Sequence, residues 1–115
     1  MMVNYCFAVP FLPGGIELLK KWNDENLVDK EGRDRFFKAA GISREQVWIQ
    51  RNPDRDLDLA IISFETHDPF DTLQQFATST DPWAVKFREF TKKAYGIDFA
   101  QESQLNEIAI DWRHP

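Results

Sequence analysis

The chain has 115 residues, of which 43% are hydrophobic and 14% aromatic, so it is long enough for one core and long disordered stretches are not expected. Its 19 acidic and 14 basic residues give a net charge of -5, which disfavours nucleic acid as a partner. The single cysteine excludes an internal disulfide, and the lack of a signal segment or a long apolar run predicts a cytoplasmic protein without a membrane span.

The first predicted element is a strand over residues 3–11, in which bulky and small side chains alternate. Pro13 and the glycines after it end this strand and open a helical region that reaches Ala40, where Gly41 stops it. A continuous helix of this length would measure about 39 Å, well beyond the length of an eight-residue strand. We therefore expect a bend or break near Gly32, or an overhang.

A hairpin and two further helices follow. Residues 45–51 and 57–66 form the predicted arms of the hairpin, joined by a polar turn. Asp68 and Asp81 each precede a proline and an aromatic residue, which is typical of an Asp N-cap with proline at the first helical position. The final predicted element is a strand over residues 106–113.

This order of elements predicts an α+β protein with a ferredoxin-like split β-α-β arrangement in a single domain, residues 1–115. The predicted sheet has four antiparallel strands, with a long first helix and an extra helix before the last strand. Helices cover only one face of such a sheet. Because the strands are apolar on both faces, we expect a second copy of the chain to cover the other face.

Three segments carry a resemblance to a known superfamily: FAVPFLPG at residues 7–14, GISREQVWIQ at 41–50, and DWR at 111–113. The chain resembles the dimeric α+β barrel superfamily, which includes antibiotic-biosynthesis monooxygenases and haem-degrading monooxygenases. It looks most like a bacterial branch that has no established reaction. The resemblance implies a homodimer with a barrel-like sheet interface and, because members differ in activity, it implies no particular chemistry.

The small side chains of the first strand, Asn4, Cys6 and Ala8, would leave room for a ligand if their face points into the dimer. The alternative for Cys6 is a buried, inert thiol that packs as a small hydrophobic residue. Trp48 has polar strand neighbours, Gln46 and Gln50, a mixture that favours a cavity or an interface over a dry core.

Asn4, Trp48 and His67 match the residue types that the haem-degrading branch uses. However, His67 precedes Asp68 at a strand end, whereas the axial histidine of that branch lies on a helix. A loop histidine is therefore favoured, and no cofactor is predicted. Two histidines and one cysteine make no closed metal site. The predicted ligand-binding residues, in chain order, are Asn4, Cys6, Trp48, Gln50, His67 and Trp112.

Three functions follow from these patterns, and no catalytic residue is assigned. The first is a homodimer that binds a small apolar or aromatic molecule between the sheet and the dimer partner. The second is an enzyme, a cofactor-independent monooxygenase of the antibiotic-biosynthesis type, which needs few dedicated catalytic residues. The third is a protein-interaction or regulatory module. The charged residues at 29–35 are interpreted as a solvated helix face with local ion pairs.

Overall fold

The computed structural model describes residues 1–98 and 105–115, and these residues form an α+β fold with three strands and four helices. The strands are β1 (Val3–Pro10), β2 (Ile42–Gln50) and β3 (Leu59–Thr66). The helices are α1 (Gly15–Val28), α2 (Glu31–Ala40), α3 (Pro69–Thr78) and α4 (Pro82–Tyr95). A short 3₁₀ turn, Pro53–Arg55, lies in the connection between β2 and β3.

The three strands form an antiparallel sheet in the order β1-β3-β2. Phe64 of β3 lies opposite both Tyr5 of β1 and Glu45 of β2, so these three side chains share one face. The pairing of β2 is irregular between Ile42 and Arg44. Because side chains alternate along a strand, this shift determines which face every later residue of β2 occupies.

The helices pack on the face that carries Tyr5 and Phe64, where the core lies. On β3, residues alternate strictly between buried and half-buried. The opposite face, which we call the open face, is exposed or half-exposed. By register, the open face consists of Asn4, Cys6, Ala8 and Pro10 of β1, Leu59, Ile61, Ser63 and Glu65 of β3, and Arg44, Gln46, Trp48 and Gln50 of β2.

The predicted starts of α3 and α4 and the predicted end of the helical region at Gly41 are confirmed, and α4 ends at a glycine in the same way. The Asp68 side chain accepts hydrogen bonds from the backbone N–H of Phe70 and of the next residue, and Asp81 accepts from the backbone N–H of Trp83. Gly41 and Gly96 follow α2 and α4 with φ angles of 76° and 72°. Glycine adopts this left-handed conformation without the steric cost that other residues carry.

The predicted break in the long helical region is present, but it lies at residues 29–30, before Gly32. The backbone of Asp29 is extended, and its carboxylate accepts a hydrogen bond from the N–H of Glu31 at 3.3 Å. The side chain therefore caps the start of α2 from just outside the helix.

The prediction of a last strand is wrong. The described residues 105–115 do not form a strand, and their side chains are exposed. Ile108, Ile110 and Trp112 alternate as a strand pattern requires, but nothing in the described part of the chain covers them. Asn106 does reach β1, since its backbone N–H donates to the Tyr5 hydroxyl and its side-chain amide donates to the Cys6 carbonyl. The segment thus starts beside the edge of β1 that faces away from β3 without forming a ladder.

Candidate functional site

A cavity of about 360 Å³ lies between the sheet and the helices. All three strands and all four helices contribute side chains to its walls. Its volume is at the small end of the range for ligand-binding pockets, about 300–1,000 Å³. The sheet side of the wall is formed by Phe7, Glu45, Val47, Ile49, Ile62 and Phe64.

Aromatic rings form most of the helical wall. Trp22 of α1 stacks on Phe90 of α4 with ring centres 5.0 Å apart and planes 5° apart. Trp83 stacks on Phe87 one turn along α4, with ring centres 5.4 Å apart. These flat surfaces suit the face of an aromatic ligand.

Asn26 forms hydrogen bonds with both tryptophans. It is 5% exposed, its carbonyl accepts from the Trp83 indole N–H at 2.7 Å, and its amide donates to the Trp22 backbone carbonyl at 2.7 Å. Because a buried amide without partners would be costly, both bonds are expected to persist, and the bond to the indole orients the Trp83 ring, whereas the bond to Trp22 involves only its backbone. Asn26 thus supports the wall.

Glu45 is an acidic side chain on the apolar face of β2, in the same row as Val47 and Ile49. The Glu45 side chain is exposed to solvent, although protein atoms crowd around its carboxyl group. This burial raises the pKa of Glu45 to about 7, an effect that the positive charge of Arg33 partly opposes. The carboxyl group therefore exchanges its proton near neutral pH.

Tyr95 lies near the end of α4 and is buried, with its ring against Phe11 and Phe90. Burial raises the pKa of its hydroxyl well above the ordinary value, and the negative charge of Glu45 raises it further. Tyr95 therefore stays protonated and is available as a hydrogen-bond donor at the edge of the cavity.

Arg33 brings a positive charge to the cavity from α2. Its side chain is 25% exposed and lies 3.8 Å from the Asp34 carboxylate. Arg33 thus forms a local ion pair, as the sequence predicts for residues 29–35, but it is only partly exposed and also lines the cavity. Lys20 and Asn23 of α1 also line the cavity.

Four of the predicted ligand-binding residues, Asn4, Cys6, Trp48 and Gln50, lie together on the open face. Trp48 is 61% exposed. In the single chain Cys6 is exposed on this face, so its burial would require a second copy.

The other two predicted residues lie elsewhere. His67 is exposed after β3, with a ring nitrogen 3.4 Å from the Met1 carbonyl oxygen. Trp112 is 73% exposed in the C-terminal segment and packs edge-on against His114. None of the six predicted residues lines the cavity.

The sequence reasoning missed Glu45, Tyr95 and Arg33 as cavity residues. For Glu45 a signal was present: it alternates with Val47 and Ile49, so a carboxyl group shares a face with two aliphatic residues. For Arg33 and Tyr95 no local signal existed, because their placement depends on how helices pack on the sheet.

Within residues 1–98 and 105–115, no group of three or more His, Cys, Asp and Glu side chains is arranged to hold a metal ion. Across the same ranges, no helix combines the length and the apolar composition that a bilayer span requires.

Comparison of the chain with protein-family models, with characterised proteins and with solved structures finds no match. The geometry of the cavity is therefore the basis for the function proposed below.

Proposed function

We propose that the protein binds a small aromatic molecule in the cavity between the sheet and the helices. The observation that carries this proposal is an aromatic cavity of about 360 Å³ that contains a carboxyl group with a pKa near 7. The sequence patterns suggested a ligand against the small residues of β1, on the open face. The proposal moves the ligand to the opposite face of the sheet, where a partly open cavity lies under the helices.

The packing of the walls supports an aromatic ligand over a flexible aliphatic one. Two stacked pairs, Trp22 with Phe90 and Trp83 with Phe87, form the helical wall, and a hydrogen bond from the Trp83 indole to Asn26 keeps that ring in place. A preorganised wall binds a rigid, flat molecule with little loss of side-chain entropy.

The test is the affinity of the protein for naphthalene, measured by ligand-observed NMR. Val47→Phe extends a ring into the cavity from β2, and we expect it to weaken binding about tenfold or more. Gln46→Phe is the matched control, because Gln46 precedes Val47 on the same strand and points to the open face. Equal loss of affinity in both variants, or no naphthalene binding to the unchanged protein, would refute the proposal.

The second candidate function is a cofactor-independent monooxygenase, and the pKa of Glu45 favours it. A carboxylate with a pKa near 7 is suited to take a proton from a hydroquinone, whose anion then reduces oxygen. The balanced reaction converts one hydroquinone and one O₂ into one hydroxyquinone and one water.

Oxygen uptake with a panel of hydroquinones tests this second function. Glu45→Gln removes the proposed base, whereas Glu65→Gln changes a carboxylate on the open face. Uptake that depends on Glu45 and not on Glu65 supports catalysis. No uptake above the rate without protein, or equal uptake by both variants, counts against it.

We also propose that the chain forms a homodimer through the open face. In the same proposal, a fourth strand beside β1 completes a ferredoxin-like sheet. The strand order β1-β3-β2 supports this arrangement, as do the contacts of Asn106 with the outer edge of β1, where a fourth strand would lie. On the open face, Ala8, Ile61 and Trp48 form one apolar row across the three strands. Such a row suits contact with its copy across a two-fold axis.

A further inference from the structure

The C-terminal segment is fastened to the outer edge of β1 at Asn106. Its backbone N–H donates to the Tyr5 hydroxyl at 3.1 Å, and its side-chain amide donates to the Cys6 carbonyl at 3.0 Å. In the described part of the chain β1 pairs with β3 alone, so the Cys6 carbonyl belongs to the free edge of the sheet. Asn106 therefore anchors the segment at the rim of the open face, which includes Cys6.

The segment beyond this anchor is longer than the edge beside it. Residues 107–113 measure about 23 Å when extended, whereas β1 continues from Cys6 for at most four residues, about 13 Å, in either direction. The backbone also bends at Ala109, so the chain departs from a straight strand path there. We call residues 110–115 the arm.

The arm presents two large apolar side chains to solvent. Ile110 is 86% exposed, and Trp112 is 73% exposed. They alternate with Asp111 and Arg113, so an extended arm has one apolar side and one charged side. A segment of this kind is suited to lie with its apolar side on an apolar surface.

The open face of the same chain is a poor candidate for that surface. Asn106 holds the arm at the rim of this face, yet Trp112 remains exposed. Trp48, the largest side chain of the open face, is also 61% exposed. The single chain therefore brings the arm beside its open face and leaves both uncovered.

We propose that the arm crosses to the second copy of a homodimer, where Ile110 and Trp112 pack on the partner's open face. This inference rests on the homodimer proposed above and adds the segment by which each copy holds the other. Each copy contributes one arm and one open face, as a two-fold axis requires.

The distances permit this crossing. Sheets that stack face to face lie about 10 Å apart, and an extended chain advances about 3.3 Å per residue. Because the arm starts at the rim of one open face, the three residues from Ala109 to Trp112 span the gap to the other sheet. The apolar row of Ala8, Ile61 and Trp48 on that sheet offers the surface that Trp112 lacks within its own chain.

The experiment is an isotope-filtered NOE measurement on mixed dimers of the full chain. Chains labelled with ¹³C and ¹⁵N are unfolded, combined with unlabelled chains and refolded, and sedimentation equilibrium identifies a concentration at which the dimer dominates. We expect NOEs between the Trp112 indole of one copy and the partner's Ile61. NOEs from Trp112 to Trp48 within one chain would show that the arm folds back, and would overturn the inference.

A pair of substitutions gives a second readout. Trp112→Ser should raise the dimer dissociation constant about tenfold or more, because the indole becomes buried when the dimer forms. Asp111→Ser is the matched control, since Asp111 lies on the charged side of the same arm, and it should leave the constant unchanged. Both positions are exposed in the single chain, so neither substitution should impair folding.

The outcomes separate the arm from the homodimer on which it depends. If the unchanged protein is a monomer, the homodimer fails, and the arm fails with it. If a dimer forms and Trp112 shows no NOE to the partner, or if Trp112→Ser and Asp111→Ser weaken the dimer equally, the arm is overturned while the homodimer stands.

Discussion

At the scale of single residues, Glu45 is the side chain that most clearly sets this sheet apart from a purely structural one. Its neighbours on the same face of β2 are only partly covered, since Val47 is 36% exposed and Ile49 is half-buried. Protein atoms around the Glu45 carboxyl group raise its pKa to about 7, although the side chain as a whole is exposed. Strongly shifted pKa values of this kind are enriched at functional sites.

The raised pKa of Glu45 makes the stability of the fold dependent on pH. The folded chain keeps the proton up to about pH 7, whereas the unfolded chain releases it near the ordinary value of 4.5. The free energy of unfolding should therefore fall as pH rises from 4.5 to 7. The fall should be on the order of 1 kcal/mol, because water in the cavity moderates the effect.

Urea denaturation at pH 5 and pH 8 measures this difference. Glu45→Gln, which carries no charge at either pH, should abolish the Glu45 contribution and should be more stable than the unchanged protein at pH 8. An unaltered pH dependence in Glu45→Gln would show that the carboxyl group is not desolvated.

Asp81 performs two structural roles at the start of α4. It caps the helix through the Trp83 backbone N–H at 2.8 Å, and it pairs with the Arg35 guanidinium through two hydrogen bonds of 2.7 and 2.9 Å. The hydrogen bonds from Arg35 are the largest cause that lowers the pKa of Asp81 to about 2. The stabilisation is therefore present above pH 3.8 and is lost as pH falls through about 2.

Two substitutions separate these roles of Asp81. Asp81→Ala removes the cap and the ion pair, and the cap alone should contribute about 1 kcal/mol to the free energy of unfolding at pH 7. Asp81→Asn keeps an N-cap acceptor and loses only the charge, so its loss should be smaller. Equal losses in urea denaturation at pH 7 would mean that the cap contributes nothing.

At the scale of elements, the break between α1 and α2 matches helix length to the sheet. At 1.5 Å per residue, α1 is about 21 Å long and α2 is shorter. Neither helix is therefore longer than a strand of the sheet. After the break, α2 carries Arg33, which lines the cavity, and Arg35, which pairs with Asp81. One local feature thus shapes both the packing and the site.

Gly15 lets the start of α1 approach the end of α4. A Cβ atom at this position would overlap the Ala94 carbonyl oxygen, which already accepts a hydrogen bond from the Leu12 backbone N–H at 2.8 Å. Gly15→Ala should therefore lower the free energy of unfolding by about 1–3 kcal/mol. Glu17→Ala, at an exposed position in the same turn, should change stability little, and a Gly15→Ala protein as stable as this control would contradict the close approach.

Helix starts and ends that depend on a few neighbouring residues were predictable from the sequence. Asp68 and Asp81 before proline, and Gly41 and Gly96 after their helices, act through the hydrogen bonds and φ angles of a few neighbouring residues. The C-terminal segment shows the limit of this reasoning. Residues 106–113 have a strand pattern, but a strand also needs a paired edge and a covering layer, which are properties of the tertiary structure.

The candidate site was harder to predict, because a cavity arises from how packed elements leave space. The tryptophans that were singled out, Trp48 and Trp112, are exposed, whereas Trp22 and Trp83 form the cavity wall. In the sequence all four are aromatic residues at regular spacing, and only helix packing distinguishes them.

At the scale of the whole molecule, the sheet has two faces with different roles. One face is covered by helices and contains the cavity, and the open face exposes the apolar row of Ala8, Ile61 and Trp48. An uncovered row of this kind is a candidate for contact with a second copy.

Sedimentation equilibrium tests this contact. We expect a dimer for the unchanged protein and a monomer for Trp48→Glu, which would bury a charge at the contact. Phe70→Glu is the control, since Phe70 is also an exposed aromatic residue but lies at the start of α3. A monomeric unchanged protein, or dissociation by both variants, would refute dimerisation through the open face.

The most direct test of the aromatic cavity uses the four tryptophans of the chain as reporters. In a ¹H–¹⁵N NMR titration with naphthalene, the indole N–H signals of Trp22 and Trp83 should shift in a saturable manner, and those of Trp48 and Trp112 should remain in place. Saturable shifts of Trp48 with no change at Trp22 and Trp83 would place the ligand on the open face and contradict the cavity as the binding site.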